Sequence, residues 1–577
     1  MIKNIKTREK KNNKTYLSKT IWKKNHGLFA GALAFHTAMA ILTLYVSIGL
    51  QKAIDIITYD GNLHDILAVA VEMTAVILGI LISGYGYGAV RSRFVAKAMT
   101  QYKNTVVDNV MEKGIAAFRE ESPSAYISGL TNDCNVIEEN LVGAKFDIIY
   151  DILSFSGALI IMLIYSPLLT FVAIGFTLLP VMVSAFSGRK ISVYESRVAE
   201  KNQSYVALIQ EAFGGFSVIK SFKAESDIVK MIGENTTALE DDKAKRNIIR
   251  NLLVILGVSA GVITQFGVFL VGGILSINGM GFTPGILMMF LNLLNFVVGP
   301  ISRLPGRIAN HKAASVLVRK MDEALRISAS VAGSGNPCRA DHSIEIRDLN
   351  YEYENGKKVL DDFNYTFETG KSYAIVGASG CGKSTLLQLL QAGMSDYDGR
   401  IMYDKDELHT IDKDRIYDTI SVIQQNVFVF NASIRDNITM FASFPENEIR
   451  RAIKLSGLEE LVNEKGMDYN CGENGNALSG GEKQRISIAR ALLRKSKVLL
   501  VDEATASLDN VNSAQVLNSI LDLENVTKLV VTHDLDRNVL KRFDRIVTMK
   551  EGSVCESATF EELMAKKGYF YSYYNVA

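Results

Sequence analysis

Four short stretches of the chain hold side chains whose types and spacing suit work on a phosphate ester. "GASGCGKST" (Gly377 to Thr385) follows the apolar run "SYAIV" and precedes the helix-forming "LLQLLQ", the context that turns a glycine pattern into a phosphate loop. Gly377, Gly380 and Gly382 let backbone amides close on a β-phosphate. Lys383 brings a point charge to the β and γ oxygens, and the Ser384 hydroxyl is placed for Mg²⁺. "KVLLVDEATASLD" reads as a buried strand with two carboxylates at its C-terminal tip, where ligands sit in such sheets. Asp502 suits Mg²⁺, Glu503 suits accepting a proton from an attacking water, and His533 in "VVTHD" suits contact with the γ-phosphate region. In "NALSGGEKQR" (Asn476 to Arg485) a glycine pair stands at a helix start, where free N–H groups bind anions. A chain with one complete phosphate cradle has no obvious need of a second.

These groups require a rigid α/β scaffold. From about Ser343, short β-rich runs ("IEIRDLNYEY", "SYAIVG", "TISVIQQ", "KVLLVDE", "TKLVVTH", "DRIVTMK") alternate with helical segments, which predicts an α/β domain with a largely parallel sheet. A Ser-, Gly- and Pro-rich stretch, "ISASVAGSGNPCRADHS", precedes it as a linker. Before the linker lie six apolar runs long enough to cross hydrocarbon: Leu28 to Leu50, Ile66 to Val90, Ile148 to Tyr165, Leu168 to Phe186, Leu252 to Ile277 and Ile286 to Leu304. The third and fourth are separated only by Ser166 and Pro167, which predicts a tight hairpin. The expected division is 1–325 as a transmembrane domain, 326–342 as a linker and 343–577 as a nucleotide-binding domain.

Lys and Arg favour the cytoplasmic side of a span. Residues 1–25 hold nine of them against one acid, and "RSRFVAK" and "GRK" follow the second and fourth spans, whereas "DIITYDGNLHD", "SP" and "SINGMGFTP" hold none. Both termini are therefore expected inside. The two cytoplasmic connections, each on the order of 60 residues, have helical spacing and should project well beyond the bilayer, with "SPSAYISGLTND" and "EAFGGFSVIKSF" as their turns. Five scattered cysteines without a C-x-x-C pair indicate neither zinc nor a disulfide framework, and no cleavable signal is evident. The net charge of +1 identifies no partner.

In order, "GASGCGKST", "QQNVFVF", "LSGGE", "LLVDEATASLD" and "VVTHD" resemble the nucleotide-binding domain of an ATP-binding cassette (ABC) transporter. The preceding half, with "GLTND", "VIKSF" and "GPISRL", resembles the membrane domain of the exporter-type branch. The resemblance covers nearly the whole chain. It implies an all-α six-helix transmembrane domain followed by an α/β P-loop nucleotide-binding domain, with ATP and Mg²⁺ as ligands. Ser379, Cys381 and Thr385 join the phosphate loop; Gln425, rather than the neighbouring Gln424, becomes the lid glutamine sensing Mg²⁺ and water; and Tyr353, rather than Tyr351, stacks on adenine. Glu473 faces an intracellular helix, and Asp509 ends the loop after the catalytic glutamate. In this family Ser479, Gly480 and Gly481 close on the γ-phosphate held by a second copy. The second grip thus implies two chains, head to tail, with two nucleotides between them. Glu482 stands where Gln is commoner, an extra carboxylate that the cradle must tolerate. The intact set of catalytic positions favours a homodimer and leaves pairing with a degenerate chain open.

The cargo is poorly encoded. His36 and Glu72 are ionisable groups within spans, where such groups face protein or water; they line a substrate cavity, or else His36 bonds a neighbouring helix and Glu72 lies at the outer headgroups. Gln265, Asn292 and Asn295 are cavity contacts or interhelical glue. The reading is an ATP-driven exporter of an amphipathic organic compound or peptide in a bacterial inner membrane, with no nucleic-acid partner. The rivals are an importer of a siderophore-like ligand on the same architecture and a non-transporting cassette regulator.

Overall fold

The computed structural model describes residues 16–59, 61–119, 123–278, 281–326, 338–353, 356–503, 510–533 and 535–576. They form two compact units, one of Met1–Asp108 with Ser124–Glu323 and one of Asn109–Pro123 with Ala324–Ala577.

The first unit is helical. Five stretches are long and apolar enough to cross a membrane, within His26–Thr58, Leu63–Met111, Pro123–Tyr165, Glu225–Ile277 and Pro284–Leu325. The sixth expected span opens the continuous helix Pro167–Gly214, apolar from Pro167 to Leu178. Helices of 48 to 53 residues reach roughly 70–80 Å at the α-helical rise, more than twice a hydrocarbon core. The hairpin between Ala144–Tyr165 and Pro167–Gly214 turns on the single residue Ser166, extended at φ −161, whose hydroxyl accepts from the Leu169 N–H at 3.2 Å while Pro167 takes the first helical position.

The first cytoplasmic turn is not where the sequence places it. Leu63–Met111 ends before the short helix Ile115–Arg119, and "SPSAYISGLTND" lies largely within the helices Pro123–Leu130 and Asn132–Ile137. Ser, Pro and Gly read as turn residues there, but Pro123 is the first residue of a helix, where its missing N–H has no partner to lose. The second turn is as expected: Pro167–Gly214 stops at Gly215, a single helical turn Phe216–Ser221 follows, and Glu225–Ile277 returns.

Polar contacts fix the register of the apolar helices. Asp151, 1% exposed, accepts from Arg303 at 3.2 Å and Arg307 at 2.7 Å, joining Ala144–Tyr165 to Pro284–Arg326. At the other end of that last helix, Asp55 accepts from Gly285 N–H (3.0 Å), Thr283 Oγ1 (2.9 Å) and Gln51 Nε2 (2.6 Å), capping its N-terminus with a carboxylate from the first long helix.

The second unit holds two sheets. β1 (Ser343–Glu352), β2 (Lys358–Glu368), β4 (Asp398–Tyr403) and β5 (Asp406–Glu407) form an antiparallel sheet in the order β2-β1-β4-β5. β3 (Ser372–Gly377), β6 (Ile420–Ile423), β7 (Val498–Asp502), β8 (Thr527–Val531), β9 (Arg545–Lys550) and β10 (Ser553–Ala558) form a second sheet, β10-β9-β3-β8-β7-β6. That sheet is parallel except at the β9–β10 edge. The expected parallel core is present, but "IEIRDLNYEY" belongs to the separate antiparallel sheet. Its strands are only partly buried, with Ile344, Ile346 and Leu349 the buried residues of β1, whereas every residue of β3 and β8 is buried.

Removing the carboxylate cap by Asp55→Ala should destabilise the full chain by about 0.5–2 kcal/mol. This would appear as a lowered melting temperature in detergent, and Asp55→Asn, which can still accept, should recover most of the loss.

Candidate functional site

The phosphate loop leaves the end of β3 and enters the helix Lys383–Leu390. Two of its glycines are dictated by close approach. A Cβ on Gly377 would lie 2.4 Å from the Met549 carbonyl oxygen of β9, and one on Gly382 (φ +101) would lie 2.8 Å from the Val359 carbonyl oxygen of β2. The loop is thus pressed between strands of both sheets, with the helix N-terminus behind it. It opens on a cavity of about 230 Å³ lined by Ser379, Gly380, Gly382, Lys383, Ser384 and Thr385. Tyr353, Lys357, Val359, Glu503 and His533 complete the wall.

The ammonium of Lys383, 5% exposed, donates to the carbonyl oxygens of Gly377 (2.7 Å) and Ala378 (3.1 Å). Ser384 Oγ donates to Asp502 Oδ1 at 2.9 Å. Burial pushes the Asp502 carboxyl up, the Ser384 hydroxyl works against that rise, and the neighbouring Glu503 carboxylate adds to it. A hydroxyl and a half-buried carboxylate side by side are a fitting half-shell for Mg²⁺, which takes one or two carboxylates and draws its other ligands from phosphates and water.

Glu503 follows β7 with φ +49, a region that costs a non-glycine residue about 1–3 kcal/mol and is tolerated where the surroundings enforce it. Here they do. Its N–H donates to Val531 O (3.1 Å) and its carbonyl accepts from Gln484 Nε2 (3.3 Å). Its carboxylate accepts from Gln425 Nε2 (2.6 Å) and pairs with His533 Nε2 (2.9 Å). At this bend the acid sits on the cavity wall beside Asp502, and the adjacent carboxylates meet different partners.

Tyr353 lines the cavity, its hydroxyl 3.1 Å from Thr385 Oγ1, whereas Tyr351 stands edge-on to it at 5.2 Å and lines a different depression. Cys381 lies in the phosphate loop with its side chain turned inward. It is 8% exposed and does not line the cavity, its Sγ lying 4.0 Å from Lys383 Nζ, and burial pushes the thiol up despite the nearby ammonium, which keeps it unreactive. Gly377 is likewise set back and reaches the site through its carbonyl. Asp509 lies outside the described residues. Lys357, Val359 and Gln484 belong to the site without having stood out in the sequence, because nothing in their spacing marks a contact made by a separate sheet or a distant helix.

Ser479, Gly480 and Gly481 do not line this cavity. They open the helix Gly480–Arg494, where Ser479 Oγ accepts from the Glu482 N–H (3.3 Å) and Glu482 Oε2 accepts from the Ser479 N–H (2.6 Å). Burial disfavours the Glu482 carboxylate, but the Ser479 backbone and hydroxyl, with Lys465 at 3.9 Å, outweigh that and hold its pKa below the usual range.

Among the helices, His36 is 6% exposed and stacked between Tyr87 (3.8 Å) and Tyr150 (4.4 Å). Glu72 pairs with Lys52 at 3.0 Å and accepts from the Tyr45 hydroxyl. Gln265 Nε2 donates to Asn295 Oδ1 at 3.0 Å, and Ser47 Oγ to Asn292 Oδ1 at 2.9 Å. Glu72, Gln265, Asn292 and Asn295 therefore bond a side chain on another helix, the arrangement of interhelical glue, whereas His36 stacks on its neighbours and its Nδ1 has no hydrogen-bond partner among the described residues.

Comparison with known proteins matches residues 29–301 to the family described as ABC transporter transmembrane region and residues 360–506 to that described as ABC transporter. The two matches stand in tandem in one chain. It belongs to the ABC transporter family. This half-transporter of the exporter type is 26% identical over 571 residues to an ABC transporter ATP-binding protein of Sinorhizobium fredii, covering 96% of this chain and 94% of that one. It is 27% identical to an ATP-dependent lipid A-core flippase of Desulfotalea psychrophila, over 85% of this chain and 86% of that one. Its fold superposes on a bacterial Atm1-family ABC exporter with ATP bound at a TM-score of 0.84, with 20% identity and 96% and 98% of the two chains covered. The nucleotide-binding half binds ATP, and the apolar helices make the transporter a multi-pass membrane protein.

The presence of Glu482 at the end of "LSGGE", where Gln is commoner, is absorbed locally, since the carboxylate is occupied by the helix cap and Lys465. Glu482→Gln should change stability by less than about 0.5 kcal/mol, whereas Glu482→Ala should cost about 0.5–1 kcal/mol. Because the folded-state pKa is depressed, the carboxylate's contribution is complete above the unfolded value of about 4.3 and is lost as pH falls through the folded one. Chemical denaturation at pH 7 and at pH 3 measures both effects.

Proposed function

We propose that this ABC transporter is a homodimeric, ATP-driven exporter that moves an amphipathic organic compound or peptide by alternating access. The reading rests chiefly on one observation: Glu503 is gripped by Gln425 and His533 at the edge of the Lys383 cavity, while Ser479 to Gly481 stand outside it. In this reading Lys383 moves from its loop carbonyls to the β and γ oxygens, and Tyr353 stacks on adenine. His533 and Gln425 orient the γ-phosphate and the attacking water. Glu503 takes the proton of that water as it adds to the γ-phosphorus, leaving ADP and inorganic phosphate. Ser384 and Asp502 would hold Mg²⁺, which supplies neutralisation of the developing phosphate charge.

Ser479, Gly480 and Gly481 of each chain complete the site of the other, so nucleotide favours the closed pair and phosphate release opens it. Phe213, Phe216, Val218 and Phe222 are exposed around the second cytoplasmic turn. They suit a seat in the cassette of a second chain, which bears a groove of about 750 Å³ walled in part by Tyr417, Phe428 and Phe430. Both termini and the cassette lie on the cytoplasmic side of a bacterial inner membrane, with residues 1–325 as the membrane domain and 343–577 as the cassette. Export is favoured over import by the names of the relatives, a flippase and an exporter, and the spans argue against a non-transporting regulator. Asp509 ends the loop behind Glu503, and His36, Glu72, Gln265, Asn292 and Asn295 flank the substrate path.

Glu503→Gln and Lys383→Ala should each lower ATP turnover by about 10²–10⁴-fold, the former with ATP still bound. A phosphate-release assay and a nucleotide-binding assay on the purified dimer check this, and near-normal hydrolysis by either variant contradicts the roles. ATP-dependent accumulation of cargo in inside-out vesicles tests the direction, and accumulation confined to right-side-out vesicles would reverse it.

A further inference from the structure

The C-terminal helix Tyr569–Val576 has no part in the machinery described so far, yet one of its side chains touches the phosphate loop. The Tyr573 hydroxyl donates to the Gly377 carbonyl oxygen at 3.1 Å, and the same oxygen accepts the Lys383 ammonium at 2.7 Å. A carbonyl oxygen has two lone pairs, so phenol and ammonium share one acceptor.

Neither partner is free to drift. Gly377 is the last residue of β3, paired with Met549 of β9. The C-terminal helix is pinned by Phe570, which is fully buried and whose N–H donates to Glu556 Oε2 at 2.9 Å. Phe560 packs edge-on against Phe570 and Tyr574 at 6.1 and 5.5 Å. The phenol therefore reaches the loop from a second, independently anchored element.

We propose that Tyr573 is a positioning residue for nucleotide binding: its hydroxyl keeps the Gly377 carbonyl hydrogen-bonded, so that the Lys383 ammonium can leave that oxygen for the phosphates of a nucleoside triphosphate. The proposal rests on the reading of Lys383 as the phosphate-binding cation. Without the phenol, departure of the ammonium strands a carbonyl at the inner end of the loop, and a polar group left unpaired costs more than a made hydrogen bond gains. Lys383 then stays on its own loop for longer. Affinity falls, and the groups that act on water are untouched.

The test is a double-mutant cycle on nucleotide affinity, with the full-length transporter in detergent and a fluorescent ATP analogue as probe. Tyr573→Phe keeps the ring and removes only the hydroxyl. It should raise Kd about three- to tenfold, with kcat at saturating ATP within about twofold of the parent and an unchanged melting temperature. In a Lys383→Ala background the same substitution should leave Kd unchanged, because there is no ammonium to release. Parental affinity in Tyr573→Phe, with Lys383→Ala still impaired, overturns the proposal and leaves the nucleotide site standing. An equal loss in both backgrounds reduces Tyr573 to packing and overturns it too. Undiminished binding by Lys383→Ala removes the reading of Lys383 and the proposal with it.

Discussion

The nucleotide-binding half depends on a steric constraint at the end of β3. Gly377 and Gly382 bring the loop so close to the carbonyls of Met549 and Val359 that no side chain fits at either position. The contact locks the loop to both sheets at once, and the conformation of the loop decides where its amides, Lys383 and Ser384 stand. Close approach of backbone to backbone thus supplies preorganisation, the property that makes a phosphate site effective without rearrangement at the moment of reaction.

A second constraint lies across the parallel sheet. Asp502 and Glu503 are consecutive, and in an ordinary strand they would alternate between faces. The left-handed turn at Glu503 lets one carboxylate meet Ser384 while the other meets Gln425 and His533. In the helical unit an ion plays the comparable part: buried Asp151 takes two arginines from one neighbouring helix, a directional contact among apolar surfaces that otherwise have little preference for register.

The parts legible in the sequence were those whose physics is local. Apolar runs of span length, the Ser166–Pro167 hairpin and the glycine spacing of the phosphate loop depend on residues within a few positions of one another, and each has its counterpart in the fold. The first cytoplasmic turn was misplaced because Pro123 and its neighbours carry turn chemistry that also suits a helix start. The antiparallel sheet escaped notice because β1 pairs with its chain neighbour β2 through several register shifts and, on its other edge, with β4 from beyond the phosphate loop, as Glu345 does with Met402. Lys357, Gln484 and Tyr573 entered the site from distant segments for the same reason. The inward setting of Cys381 was illegible because the motif fixes the path of the backbone and leaves the direction of its variable side chains to the surrounding core.

The cap on the signature helix has a consequence for what Ser479 can be. Its oxygen already takes the Glu482 N–H, so a lone pair serves the helix while the hydroxyl proton is left for the phosphate that the proposed pairing would bring. Aspartate would cap equally well but would repel that anion, and alanine would neither cap nor donate. A short alcohol meets both demands from a single atom, which would tie the folding of this helix end to the clasp proposed for the paired chains.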